Sequence, residues 1–330
     1  MIDQKISMQF AKKRVVVTGG TGMIGRQVVN KLCNMGAWVI CVSLDDIKTD
    51  QRAEKFYADL TDLSVCHNIT KNADYVCHLA GIKGSVDATK SMPASFLVPL
   101  MMMNTNILEA CRVNEVEKVV YTSSIGAYAA SDCFREEDDT FSQPPMDEYP
   151  GWAKRMGELQ VAAYRHQYGL DNFAIVRPCN VYGPGDNFDP KNAMVIPTLI
   201  HRIVSGEDPV TVWGDGTAIR DFAYSADIAD GILLALHHGT RGSFVNLGSG
   251  IDVSISDLVS TLHDFLDFNH RFDTTKPSGY SRRVMDISRA RDWFNYQPAV
   301  GLRDGLEATY SWYMEHLEDG EGRQNYFCED

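Results

Sequence analysis

The chain has 330 residues, 44% of them hydrophobic, and a net charge of −13, so it can bury a core and reads as globular rather than disordered. No dense block of Lys and Arg interrupts that acidity, which argues against a nucleic-acid surface. An anionic small ligand remains within reach, because a few Arg residues and backbone amides bind phosphate locally.

Eight cysteines occur without a Cys-x-x-Cys pair, and Cys41, Cys77 and Cys179 sit in apolar runs. Reduced, buried thiols of a cytoplasmic protein fit this pattern better than a disulfide framework. The nine His residues show no zinc-ligand spacing, so no metal site is expected, and the adjacent His237 and His238 read as a solvated helix end. Met1 to Arg14 lacks an apolar signal core, and the longest apolar stretch, Phe96 to Met103, contains Pro99 and is far too short for a membrane span. A soluble protein with no membrane contact is expected.

Val15 to Thr18 is a β-branched run that reads as a buried strand. Ile24, Val28 and Leu32 then recur at helical spacing, with Gly36 as a stop. Further strands are predicted at Trp38–Val42, Phe56–Leu60, Tyr75–Leu79, Lys118–Ser124 and Phe173–Arg177, with helical segments between. Such alternation implies an α/β fold, a doubly wound parallel sheet covered on both faces. After Tyr182 the pattern loosens: Gly, Pro and Asn punctuate 183–192, a helix follows from Pro197, and Val210–Trp213 looks like a short strand. Asp257–Leu266 and Leu302–His316 read as helices. The expected division gives residues 1–182, with a return at about 222–250, to a dinucleotide-binding domain. Residues 183–221 and 251–330 would form a smaller, interleaved substrate domain.

Gly19-x-x-Gly22-x-x-Gly25 follows a strand and opens a helix, the context in which a glycine-rich turn lets pyrophosphate approach a helix N-terminus. The second strand should close on an acidic residue if the ribose hydroxyls of NAD are bound. Ser43 stands there, and Asp45 and Asp46 follow. The nearest bases for a 2′-phosphate are Lys48 and Arg52, and two carboxylates would repel that phosphate, so NAD is expected ahead of NADP.

Taken together, Thr18-Gly19-Gly20-Thr21-Gly22-Met23-Ile24-Gly25, Asp59-Leu60, His78-Leu79-Ala80-Gly81, Thr122-Ser123-Ser124, Arg177 through Gly185, Trp213-Gly214-Asp215-Gly216 and Arg220-Asp221-Phe222 resemble one family. It is the extended short-chain dehydrogenase/reductases of the nucleotide-sugar epimerase/dehydratase group, whose fold is a Rossmann sheet with a smaller C-terminal domain. Gly185-Asp186-Asn187-Phe188 and Val195-Ile196-Pro197 are similar to its GDP-L-fucose synthase branch in particular. The resemblance implies a cofactor groove formed by the glycine turn, Ser43 and Asp45, with Asp59 and Leu60 at the adenine. Leu79, Ala80, Gly81, Thr122, Pro178, Asn180 and Val181 would line the rest. It also implies that Ser124 hydrogen-bonds the reacting sugar oxygen, and that Lys154 binds the nicotinamide ribose and lowers the pKa of a neighbouring tyrosine. Asn180, Arg202, Arg220 and Arg283 would meet a sugar diphosphate, with Lys83, Val195 and Trp213 also facing the substrate.

Hydride transfer from a sugar carbon needs a base for the hydroxyl proton, and the family supplies it with Tyr-x-x-x-Lys on one helical face. Here the chain reads Tyr149-Pro150-Gly151-Trp152-Ala153-Lys154, with Pro150 in the tyrosine's place. One extra residue turns a helical side chain by about 100°. Tyr149 is therefore the acid/base only if the loop redirects it, and otherwise a packing or substrate-contact residue, with water, Ser124 or the substrate carrying the proton. The Cys and His by which the GDP-L-fucose synthases epimerise are also missing, since Ile125-Gly126 and Met194 stand there, and so is the acid that sugar dehydratases place after their Ser or Thr. Redox at one carbon, C4, is what remains: 4-epimerisation or 4-dehydrogenation, with 4-ketoreduction or a non-catalytic dinucleotide sensor or scaffold as alternatives.

Met101-Met102-Met103 lies on the helix that, in this family, often builds a four-helix homodimer interface with the Lys154 helix, and core packing explains it equally well. Trp152, Met156 and Leu159 add an apolar stripe to that second helix. The acidic run Glu136 to Asp139 is expected to be a solvated loop.

Overall fold

Runs of Val, Ile, Tyr and Cys too short for helices dominate the first half of the chain, and each becomes a strand buried on both faces. The computed structural model describes residues 2–84, 86–139, 141–276 and 278–317. Its main sheet has seven strands, in the order Phe244–Leu247, Phe173–Pro178, Lys118–Thr122, Tyr75–His78, Arg14–Thr18, Trp38–Ser43 and Glu54–Tyr57. All are parallel. The order reverses beside Arg14–Thr18, which makes the carboxyl end of that strand the crevice where open α/β sheets bind ligands. The Rossmann-type sheet is therefore present.

Element edges differ where polar side chains intervene. The third strand was expected at Phe56–Leu60 but covers Glu54–Tyr57. It stops there because Asp59 accepts a hydrogen bond from the Thr61 N–H at 2.9 Å and turns the chain out of the sheet. The helix Pro93–Val113 runs through Pro99. The described cysteines are free thiols, and Cys41, Cys77 and Cys179 are buried. No helix among the described residues is long and apolar enough to cross a membrane.

Two apolar cores form. The larger surrounds the sheet and takes in Ala223–Leu247 together with Met285, Ile287, Ala290, Phe294 and Tyr296. The smaller gathers Tyr182, Phe188, Ile196–Ile200, Val210, Val212, Phe222, Val253–Leu262 and Leu306. Residues 318–330, placed in the smaller domain by the sequence reading, lie outside the described residues.

Between sheet and helices lies a buried set of charges. Arg177, at the end of its strand, meets Glu158 at 2.6 Å and Asp139 at 2.5 Å, and Arg155 meets Asp139 at 3.4 Å. These four side chains are at most 2% exposed. The Arg177 guanidinium is also sandwiched against the rings of Tyr128 and Phe244, 4.2 and 3.7 Å from their centroids. The acidic run Glu136–Asp139 is thus solvated only in its middle: Glu137 and Asp138 are exposed, while Glu136 and Asp139 turn inward. Glu136 accepts from the Asn246 N–H at 2.9 Å, and Asp139 pairs with both buried arginines.

A second buried chain of hydrogen bonds ties the crevice strands to the helices behind them. Asn104 donates through Nδ2 to the Ala153 carbonyl at 3.3 Å, so its Oδ1 accepts from His78 Nε2 at 2.9 Å. His78 Nδ1 then accepts from the Thr18 hydroxyl at 2.8 Å, and Thr18 Oγ1 accepts from the Leu79 and Ala80 N–H groups. Burial, helped by the nearby Lys154 charge, pushes the His78 pKa down to about 3.

Two outcomes are expected. Glu158→Gln leaves the buried Arg155–Arg177 cluster with one carboxylate for two cations and should cost about 3–5 kcal/mol in urea unfolding. His78 stays neutral in the fold while the unfolded chain takes up a proton below about pH 6.5, so its contribution is complete above that pH and is lost as pH falls toward 3. Unfolding free energy measured down the acid range should fall less steeply in His78→Asn than in the unsubstituted protein.

Candidate active site

The glycine turn sits at the sheet's reversal point. Gly19 has φ +66°, a region glycine enters without strain, and a β-carbon there would come within 2.8 Å of the Ala80 backbone. At Gly25 a β-carbon would overlap the Gly19 carbonyl, so helix and turn pack without a gap. Gly22 is exposed and caps the helix Met23–Asn34, leaving the N–H groups around Met23 and Ile24 open toward an anion. Arg26, one residue past the motif, donates to the Thr21 carbonyl at 2.7 Å and lies over the Trp312 ring at 5.3 Å. It ties the turn to the smaller core, a role no motif signalled.

At the end of the second strand, Ser43 Oγ and Thr21 Oγ1 are 2.6 Å apart, and Ser43 Oγ accepts from the Asp45 N–H at 3.1 Å. Arg52, a candidate for a 2′-phosphate, is engaged by Asp50 at 2.5 Å. Tyr57 donates to Asp46 close by. Leu60 is buried beside Asp59, and Asn106 donates to its carbonyl at 3.1 Å.

The other end of the groove gathers Leu79, Ala80, Gly81, Thr122, Ser124 and Lys154. Lys154 Nζ donates to the Thr122 carbonyl at 2.8 Å and would lie 3.7 Å from a β-carbon on Gly81. Burial pushes its ammonium down to about 8, against the opposing charge of Glu158 one turn along. The Thr122 hydroxyl is buried and has no partner among the described residues. That orphaned donor, the open Gly22 and the bare Gly81 fit a dinucleotide lying along the groove. Ser124 caps the short turn Ile125–Ala127 by accepting from the Gly126 N–H at 3.1 Å, which leaves its own proton for an acceptor. Pro178 ends its strand, and Asn180 and Val181 pair with Phe222 and Ala223, with Asn180 Nδ2 donating to the Asp221 carbonyl at 3.1 Å.

The helix Glu148–Tyr168 presents Lys154 to the groove. Pro150 lies one turn before it on the same side, and Asp147 is the N-cap of the helix. Tyr149 is 41% exposed and falls in line with the exposed Trp152, Met156 and Leu159, on the side away from Lys154. The structure does not bring it to Ser124.

Of the arginines, Arg220 and Arg283 stand in register on neighbouring parallel strands. Burial and the adjacent Arg283 push Arg220 down to about 10. Arg220 donates to the Ser278 carbonyl at 3.1 Å, while Arg283 Nε is buried with no partner among the described residues and its Nη2 lies 3.6 Å from Asp147. Arg202 donates to the Thr211 carbonyl at 2.6 Å and lies 3.6 Å from Glu207. Lys83 is exposed, Val195 opens the helix Val195–Val204, and Trp213 is exposed beside Lys276. No group of acidic, His and Cys side chains among the described residues is arranged to hold a metal ion.

Comparison with known proteins shows the family. Residues 15–248 match the family described as the NAD dependent epimerase/dehydratase family. The chain is 30% identical to GDP-L-fucose synthase 1 of Arabidopsis thaliana, covering 94% of this chain and 96% of that one. It is 32% identical to the dTDP-4-dehydro-6-deoxy-D-allose reductase of a Streptomyces species, with 93% and 98% covered. Among solved structures, UDP-glucuronic acid 4-epimerase from Bacillus cereus, in complex with UDP-glucuronic acid and NAD, superposes with a TM-score of 0.78 at 25% identity, over 92% of this chain and 99% of that one. The chain is a member of the NAD dependent epimerase/dehydratase family of enzymes.

Proposed function

We propose that the protein carries out NAD-dependent redox chemistry at C4 of a nucleotide-activated sugar, with a GDP-sugar favoured, as a 4-epimerase or a 4-dehydrogenase. The observation that carries the substrate class is the pair Arg220 and Arg283, two cations crowded in register with a buried, unpartnered Nε. Such a pair is stabilised by a diphosphate, which accepts forked hydrogen bonds from both. The GDP preference rests on the similarity to GDP-L-fucose synthases. The choice of C4 rests on Ile125-Gly126 and Met194, which offer no proton-exchanging side chain for chemistry beside a ketone.

NAD supplies a hydride acceptor. The glycine turn holds its pyrophosphate, Ser43 and Asp45 its adenosine ribose, and Lys154 and Thr122 the nicotinamide end. Ser124 holds the sugar oxygen that changes oxidation state. Asp45 and Asp46, with Arg52 tied to Asp50, disfavour the extra phosphate of NADP. In this reading 1–182 and about 222–250 bind the dinucleotide, and 183–221 with 251–330 bind the sugar nucleotide. The buried reduced thiols suit a cytoplasmic enzyme. The similarity to a 4-keto-sugar reductase supports 4-ketoreduction as the second reading.

We also infer a homodimer. Val98, Met101 and Met102 are exposed on Pro93–Val113, and Trp152, Met156 and Leu159 on the helix packed against it. Together they form an apolar face that a second copy would cover as a four-helix bundle.

Two measurements test these readings. Purified protein incubated with GDP-, UDP- and dTDP-sugars should reduce bound NAD or change the sugar's C4 configuration, detected by NADH absorbance and mass spectrometry, and should bind NADH more tightly than NADPH. No reaction with any sugar overturns the enzymatic reading, and tighter NADPH binding overturns the cofactor choice. Met156→Asp should sediment as a monomer where the unsubstituted protein sediments as a dimer.

A further inference from the structure

Pro150 brings no proton to the turn preceding Lys154, and Tyr149 lies with the exposed stripe on the far side of the helix. Asp147, the N-cap of this helix, brings a carboxylate to the end of it that meets the Ser124 turn. The start of this helix lies directly on the Ser124 turn. The Asp147 N–H donates to the Gly126 carbonyl at 3.3 Å, and a β-carbon on Gly151 would come within 2.5 Å of that same carbonyl. Gly126 is buried, and a β-carbon built on it would overlap the Asp147 carboxylate at Oδ2. The carboxylate thus fills the space that a side chain two residues after Ser124 would otherwise occupy. Its other oxygen, Oδ1, lies 3.6 Å from Arg283 Nη2 in an ion pair, and the carboxylate is 41% exposed. One oxygen faces the arginine of the proposed diphosphate site, and the other rests against the turn that carries Ser124.

We propose that Asp147 is the acid/base of this enzyme, in place of the missing tyrosine. The inference rests on the sugar-oxidising reading above. As the sugar carbon is oxidised, the hydroxyl O–H bond breaks and its proton bonds to Asp147 Oδ2. The C–H electron pair leaves as hydride to the bound nicotinamide dinucleotide, and the C=O bond forms. Reduction returns the proton from Asp147 to the same oxygen. Ser124 donates to that oxygen throughout, so the two residues act on it from one turn of backbone.

The test compares Asp147→Asn with the unsubstituted protein on whichever nucleotide sugar the panel identifies. Single-turnover reduction of NAD should slow by about 100-fold or more, while calorimetry finds NADH and nucleotide-sugar affinity unchanged or, for the sugar, tighter. Asp147→Ala should regain part of the lost rate when formate is added, a rescue that a purely structural role does not produce. If Asp147→Asn turns over normally, or only tightens sugar binding, the carboxylate is a counter-ion to Arg283 and the proposal fails. It fails equally if Tyr149→Phe loses the rate instead. Solvent deuterium appearing at a carbon beside the reacting one would move Asp147 to carbon chemistry and overturn the hydroxyl role. An unsubstituted protein inert to every sugar overturns the proposed function and this role together, whereas an active one with an unimpaired Asp147→Asn variant overturns this role alone.

Discussion

The Arg177–Glu158 pair holds sheet and active-site helix in one fixed relation. A guanidinium with no exposed surface is tolerated in a core only when carboxylates and aromatic faces replace its water, and here Glu158, Asp139, Tyr128 and Phe244 do so. Glu158 belongs to the same helix as Lys154, one turn further on, and also accepts from the Ser123 hydroxyl at 2.5 Å, next to Ser124. The strand end, the Ser124 turn and the Lys154 helix therefore share one carboxylate. A displacement of any of them would leave a buried charge without its partner.

That constraint explains why the helix can begin so close to the sheet. Where it meets the Ser124 turn, glycine stands at both contact points: a β-carbon on Gly151 would strike the Gly126 carbonyl, and one on Gly126 would strike the Asp147 carboxylate. The Lys154 ammonium is then aimed at the Thr122 carbonyl in a site dry enough to lower its affinity for a proton. Behind it, the neutral His78 relays hydrogen bonds from Thr18 to Asn104, so the glycine turn and the Lys154 helix are joined through the core as well as across the groove.

What was legible in the sequence was local. β-branched runs give strands, and glycines between a strand and a helix give a tight turn, because both depend on residues adjacent in the chain. The third strand shifted because the Asp59 side chain captures its own backbone, a competition that hydrophobic pattern does not register. The acidic run Glu136–Asp139 looked solvated because its partners, Arg155, Arg177, Arg289 and Asn246, are distant in sequence. Asp147 escaped notice because motif reading searches the positions beside Ser124, whereas the carboxylate arrives there from another segment.

The glycine at 126 makes two positions compete for one volume. A proton-exchanging side chain can enter that volume from the Ser124 turn or from the start of the Lys154 helix, but not from both at once. Replacing Gly126 by any residue with a β-carbon would evict Asp147, so an alteration at either position changes the meaning of the other. A chain of this fold can thereby exchange one acid/base for another through a single glycine, with the cofactor groove and the paired arginines left as they are.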